Sequence, residues 1–187
     1  MKEKLWTVSN MLSASRIVLM APVVYFFLTP MPHSREYAVL CTLLAVITDA
    51  LDGYLARLLH QESELGKVID PLADKIGVGI VVVLLLIFGD IPLWFAFLIL
   101  SRDILIFLGG VYIRKRTGLI LPSNMPGKFA VSFVALTLVL SMVRYRMFFV
   151  ARDISLLAST VLLLFSFIIY VQRFMNVISS DKRSMHP

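Results

Sequence analysis

Four aspartates, Asp49, Asp52, Asp70 and Asp74, stand inside or at the ends of segments that otherwise read as membrane-spanning helices. On insertion scales each carboxylate at membrane depth costs about 2.5–3.5 kcal/mol, and four together cost on the order of 10 kcal/mol. A chain that keeps all four must offset that cost. A cluster of carboxylates most naturally does so by holding divalent cations.

The surrounding sequence leaves little choice of solvent. Of 187 residues, 59% are hydrophobic and the mean hydropathy is +0.87, whereas soluble domains are about 45–50% apolar. The reading is an all-α, polytopic membrane protein built as one domain over residues 1–187. A lone cysteine, Cys41, excludes an internal disulfide and a thiolate metal site. The net charge of +6 points to anionic head groups or phosphorylated substrates, and no nucleic-acid-binding motif is present. Lys2 and Lys4 ahead of an apolar run resemble a signal peptide. No small-residue cleavage site follows, so a retained first span is expected.

Apolar runs of bilayer length recur over roughly 12–28, 37–59, 68–89, 91–113, 127–146 and 150–172. They predict about six transmembrane helices. Residues 2–11, with Leu5 and Trp6 beside charges, predict an interfacial helix before the first span. An even number of spans puts both termini on one side. That side collects most of the Lys and Arg, including Lys2, Arg57, Lys67, Arg114, Lys128 and Arg183, and is therefore expected to be cytoplasmic. Arg35, Arg144, Arg146 and Arg152 fall on the other side, against the trend.

The acidic residues share a pattern. Asp49, Asp52, Gly53 and Ala56 are spaced to share a face of the second span, and Gly66, Asp70 and Asp74 recur every four residues on the third. A short connection makes the two helices antiparallel neighbours, so the acidic faces converge near the cytoplasmic end. Their oxygens suit two hard cations about 3.5–4 Å apart, the arrangement used for phosphoryl chemistry. Gly53, Ala56 and Gly66 are small enough to admit a ligand closely, and Arg57 could grip a phosphate oxygen. Pro71 places Asp70 at a non-ideal backbone position, either in a first turn or deeper in the helix.

The string Asp49-x2-Asp52-Gly53-x2-Ala56-Arg57-x8-Gly66-x3-Asp70-x3-Asp74 resembles the signature of the CDP-alcohol phosphotransferase (phosphatidyltransferase) family at every position. Asn10-x-Leu12-Ser13-x2-Arg16 is similar to a second family element, with Ser13 where threonine is usual. The resemblance implies six spans, a homodimer in a bacterial inner membrane, and transfer of a phosphate-linked group from a CDP-alcohol to a second alcohol with release of CMP. It implies that Asp49, Asp52, Asp70 and Asp74 bind one or two Mg²⁺ or Mn²⁺ ions, and that Asp74, with Asp70 beside it, is catalytic as the general base. Asp52, Gly53, Ala56, Arg57 and Gly66 would line the cytidine diphosphate site, with polar contacts from Asn10 and Ser13.

The acceptor pocket is drawn from three cations, Arg102, Arg114 and Lys128. Arg102 sits mid-span, where an unpaired charge is costly. Asp103 is expected to point elsewhere, since neighbours on a helix do not face each other. Three cations fit a phosphorylated acceptor such as glycerol 3-phosphate, as in the phosphatidylglycerophosphate synthase branch. Those enzymes usually carry Arg-Glu followed by Ser-x-Leu-Arg, whereas this chain reads Arg102-Asp103-Ile-Leu-Ile. Arg-Asp is closer to the cardiolipin synthase branch, whose acceptor is phosphatidylglycerol; inositol phosphate and serine are further alternatives. A small cation transporter is the reading from another class. Against it, the carboxylates lie near one surface instead of along a path, and no inverted repeat is visible. Arg114 and Lys128 also fit an ordinary topogenic role, and Asn10 and Ser13 an ordinary helix cap. Asp74→Asn is predicted to abolish transfer while leaving CDP-alcohol binding detectable. Retained turnover in a CMP-release assay would remove Asp74 from the base role.

Overall fold

The computed structural model describes the backbone over residues 8–58, 66–118 and 125–184, and side chains over 18–48, 75–118 and 125–179. The described elements are helical: α1 (Val8–Leu28), α2 (Ser34–Leu58), α3 (Gly66–Ile87), α4 (Leu93–Thr117), α5 (Met125–Met142) and α6 (Phe149–Ser184), with a 3₁₀ turn at Arg146–Phe148. The chain separates into two compact units, Met1–Asp90 with Ser141–Arg146, and Ile91–Leu140 with Met147–Pro187.

The helices differ from the predicted spans at their ends, for local reasons. α4 runs on through Arg114, Lys115 and Arg116, because its stop signal is Gly118. That residue takes the left-handed conformation at φ 70° and gives its N–H to the Arg114 carbonyl at 3.1 Å. α5 stops at Met142, short of Arg144. α6 is 36 residues long, or about 54 Å at the α-helical rise, well beyond the roughly 30 Å of a hydrocarbon core. Of the expected interfacial helix, residues 8–11 continue directly into α1, and 2–7 lie outside the described residues.

In the first unit α1 packs along both α2 and α3. Its stripe of Met20, Val23 and Phe27 is buried, and so are Val81, Val82 and Leu85 of α3. On α2 the buried positions are small: Ala38, Thr42 and Ala45. Small residues at this spacing let helix backbones approach closely in lipid, where no hydrophobic force draws helices together. The Thr42 hydroxyl bonds the Ala38 carbonyl at 2.9 Å, so nothing polar is stranded in that seam.

An ionic latch closes the end of this unit where α2 begins and α3 finishes. Asp90 accepts from Arg35 Nη1 at 2.7 Å and from Arg144 Nε at 2.8 Å. The Arg35 guanidinium lies over Phe27 at 4.2 Å and over Phe88 at 4.8 Å. Arg144 also bonds the Phe88 carbonyl at 3.1 Å. Tyr145 donates to Glu36 at 2.5 Å. That bond holds the Glu36 carboxyl below the usual glutamate range and pushes the Tyr145 phenol up. Burial lowers the Arg35 guanidinium from its ordinary value, Asp90 opposing the effect. The Arg35–Asp90 pair shows that α2 and α3 run antiparallel, as expected.

The second unit buries hydroxyls among its apolar residues and leaves large apolar side chains outside. On α6 the buried positions include Ser155, Ser159 and Ser166, while Ile154, Leu157, Val161, Phe165 and Ile168 are more than half exposed. Water would enforce the reverse, so the distribution fits a hydrocarbon solvent. Leu93–Thr117, Met125–Met142 and Arg146–Ser179 are each long and apolar enough to cross a membrane. Thr137 of α5 meets Ser155 at 2.7 Å and Ser159 at 3.3 Å, a hydroxyl cluster that joins α5 to α6.

Asp90→Ala would leave Arg35 buried without its counter-ion, and a loss of about 3 kcal/mol is expected. Arg144→Ala removes a half-exposed partner and should cost under about 1 kcal/mol. Unfolding midpoints in detergent test the ranking, and equal shifts would contradict it.

Candidate active site

The signature aspartates fall on two helices of the first unit. Asp49, Asp52, Gly53, Ala56 and Arg57 lie in the last third of α2, and Gly66, Asp70 and Asp74 in the first half of α3. Asn10 and Ser13 lie in the first two turns of α1. Their side chains are outside the described residues, so the placement rests on the helices alone.

The latch sets the register of those helices, because it pins the start of α2 to the end of α3. At the α-helical rise Asp49 stands about 21 Å along α2 from Arg35, and Asp74 about 20 Å along α3 from Ile87. Asp52 and Asp70 each stand about 26 Å along on the same count. On this count Asp49 and Asp74, and likewise Asp52 and Asp70, stand at matching distances along their own helices from the end that carries the latch. α3 begins at Gly66, which settles Pro71 into the second turn. There it has no N–H to give to the carbonyl of residue 67.

This donor set fits hard divalent cations: carboxylate oxygens only, from helix levels that match. Among the described residues no group of three or more His, Cys, Asp or Glu could hold a metal ion, and the four aspartates lie outside that search.

The expected acceptor cations belong to the second unit. Arg114 is exposed on the last turn of α4, and Lys128 is exposed on the first turn of α5. Arg102 is different. It is 9% exposed, halfway along α4, with Nη1 on Asp103 at 2.7 Å and Nη2 on Ser166 Oγ of α6 at 2.9 Å. Asp103 thus does not point away from Arg102. The long guanidinium stem curls back to its neighbour, because ion pairing in a low dielectric outweighs the splay of adjacent helical positions. Among the described residues Arg102 Nε is buried with no partner.

Sequence reasoning missed Ser166, Asp90 and Tyr145. The serine lies in an apolar run, Tyr145 lies at the end of the run read as the fifth span, and Asp90 lies in the short gap between the third and fourth. The available signal was the pair of arginines placed against the charge trend.

The model of the CDP-alcohol phosphatidyltransferase family matches residues 6–172, nearly the whole chain and both units. The chain belongs to the CDP-alcohol phosphatidyltransferase family. That is a family of transferases, generally dependent on a divalent metal. The chain is 37% identical over 134 residues to a CDP-diacylglycerol–glycerol-3-phosphate 3-phosphatidyltransferase of Aquifex aeolicus, covering 70% of this chain and 72% of that protein. It is 40% identical over 116 residues to the cardiolipin synthase (CMP-forming) of Homo sapiens, covering 62% of this chain but 38% of that protein. A CDP-diacylglycerol–glycerol-3-phosphate 3-phosphatidyltransferase of Rickettsia bellii is 37% identical over 97 residues, 52% of this chain and 54% of its own length.

Within this CDP-alcohol phosphatidyltransferase, α4 and α6 are held closer by a glycine. Tyr170 Oη bonds the Ile106 carbonyl at 2.9 Å, and a Cβ added at Gly109 would stand 2.6 Å from that same oxygen. Gly109→Ala should displace the hydroxyl and destabilise by about 1 kcal/mol, despite alanine's better helix propensity. Adding Tyr170→Phe should recover part of that loss in detergent unfolding. No recovery would mean that the phenol oxygen is not what the methyl meets.

Proposed function

We propose that this protein transfers the phosphatidyl group of CDP-diacylglycerol to glycerol 3-phosphate and releases CMP. The observation that carries the reading is the complete acidic signature on α2 and α3, at matched levels of the two helices. The Aquifex and Rickettsia relatives, named for a glycerol 3-phosphate acceptor, support the choice of acceptor.

The reaction asks for one proton transfer and one exchange of bonds at phosphorus. The acceptor hydroxyl oxygen bonds to the phosphatidyl phosphorus while the bond from that phosphorus to CMP breaks. Asp74 takes the hydroxyl proton. No covalent intermediate with the protein is needed. Asp49, Asp52, Asp70 and Asp74 would hold one or two Mg²⁺ or Mn²⁺ ions, which when bound neutralise the pyrophosphate and the leaving CMP. Asp52, Gly53, Ala56 and Gly66 shape the cytidine diphosphate site, Arg57 binds a phosphate oxygen, and Asn10 and Ser13 of α1 add polar contacts to it. Arg102, Arg114 and Lys128 receive the phosphate of the acceptor.

The chain works as one domain, a reading supported by a family match that runs unbroken through both units. All six helices span the membrane, and the enzyme is a homodimer of the bacterial inner membrane. The termini and the acidic end of α2 and α3 face the cytoplasm, in keeping with the Lys and Arg distribution.

A second reading takes phosphatidylglycerol as acceptor and makes cardiolipin. It is favoured by Arg102-Asp103 in place of Arg-Glu and by the match to the human cardiolipin synthase. The test is purified protein with CDP-diacylglycerol, Mg²⁺ and a panel of glycerol 3-phosphate, phosphatidylglycerol, inositol phosphate and serine. CMP and phosphatidylglycerophosphate should appear together, stop with a chelator and return with added Mg²⁺. Cardiolipin as the product would establish the second reading. Cation flux in liposomes without CMP from any acceptor would sink both in favour of a transporter.

A further inference from the structure

Arginine carries five N–H donors in one rigid plane, so a buried guanidinium is useful only if the plane is aimed. At Arg102 the plane is held by two bonds of different kinds. Asp103 accepts from Nη1 at 2.7 Å, but it belongs to α4 and moves with Arg102. Ser166 accepts from Nη2 at 2.9 Å and belongs to α6; it is 1% exposed. Ser166 is therefore the contact that references the plane to a second helix. The remaining edge presents Nε with no partner among the described residues, although Arg102 is nine-tenths buried. A buried donor left open in this way suits an oxygen acceptor, above all a charged one. Because Asp103 already offsets much of the charge, the grip on an anion depends on where that donor points more than on net charge.

We infer that Ser166 is a positioning residue: by fixing the rotation of the Arg102 guanidinium it sets how well the enzyme binds the phosphate of its acceptor alcohol. The inference rests on the acceptor role proposed above for Arg102. It assigns to α6 a part in acceptor selection.

A double-mutant cycle tests it. KM for glycerol 3-phosphate and for CDP-diacylglycerol, kcat and the detergent unfolding midpoint are measured for wild type, Ser166→Ala, Ser166→Thr, Arg102→Ala and the Ser166→Ala/Arg102→Ala pair. Ser166→Ala should raise KM for the acceptor about tenfold, the loss of one hydrogen bond to a charged group. KM for CDP-diacylglycerol and kcat should stay within about twofold. Ser166→Thr, which keeps the hydroxyl, should restore the acceptor KM. On the Arg102→Ala background Ser166→Ala should add nothing, since its effect passes through that side chain. An unchanged acceptor KM, additive effects, or a parallel loss in both KM values and in the unfolding midpoint would overturn the inference and leave Ser166 a packing contact. Should wild type use phosphatidylglycerol instead, the acceptor reading fails while the cycle runs on that phosphodiester with the same expectations. A wild type that releases CMP from neither acceptor ends both proposals.

Discussion

The contact between Arg35 and Asp90 organises the first unit. It joins residues 55 positions apart, one before and one after the acidic segment, and so ties the start of α2 to the end of α3. Had the pair formed one turn further along either helix, about 5 Å away, Asp49 and Asp52 would be out of step with Asp74 and Asp70. The proposed site needs that step, because carboxylates can share a cation only when they arrive at the same depth. The aromatic rings of Phe27 and Phe88 on the Arg35 guanidinium limit its escape. Arg144 brings the α5–α6 connection to the same anchor.

A division of labour follows along the length of α2. Its first turn carries Arg35 and Glu36, which bind neighbours of their own unit; Ala38, Thr42 and Ala45 follow, which admit α1; its second half carries the residues proposed for the chemistry. Each stretch has the composition its task demands. The helix is the least uniformly apolar of the first three, and α1 packs on it along the small-residue seam.

The all-helical membrane class was legible because bilayer thickness imposes a length on apolar runs, a length that three of the described helices meet, and the acidic segments were legible because carboxylates in such runs are conspicuous. The family was legible from the spacing of Asp49 through Asp74. Three things were not. The latch was hidden because Arg35 and Arg144 were weighed only as topology signals, although each has Asp90 as its partner. The Arg102–Asp103 pair was hidden because a rule about helical faces was applied to a side chain long enough to escape it. Ser166 was hidden because hydropathy treats a lone serine in Leu-Phe-Ser-Phe-Ile as neutral, when in hydrocarbon one hydroxyl is worth more to specificity than several leucines.

The hydroxyls of the second unit also bear on how the protein is made. Thr137 bonds the carbonyl of Phe133 within its own helix, and Ser159 that of Leu156, besides meeting each other across the α5–α6 seam. At these two positions a freshly synthesised α5 or α6 carries its hydroxyl already satisfied within its own helix. Joining the two hydroxyls then needs only a sharing of bonds that already exist. Closure of this seam is a rearrangement between finished parts, and it can wait until both have arrived.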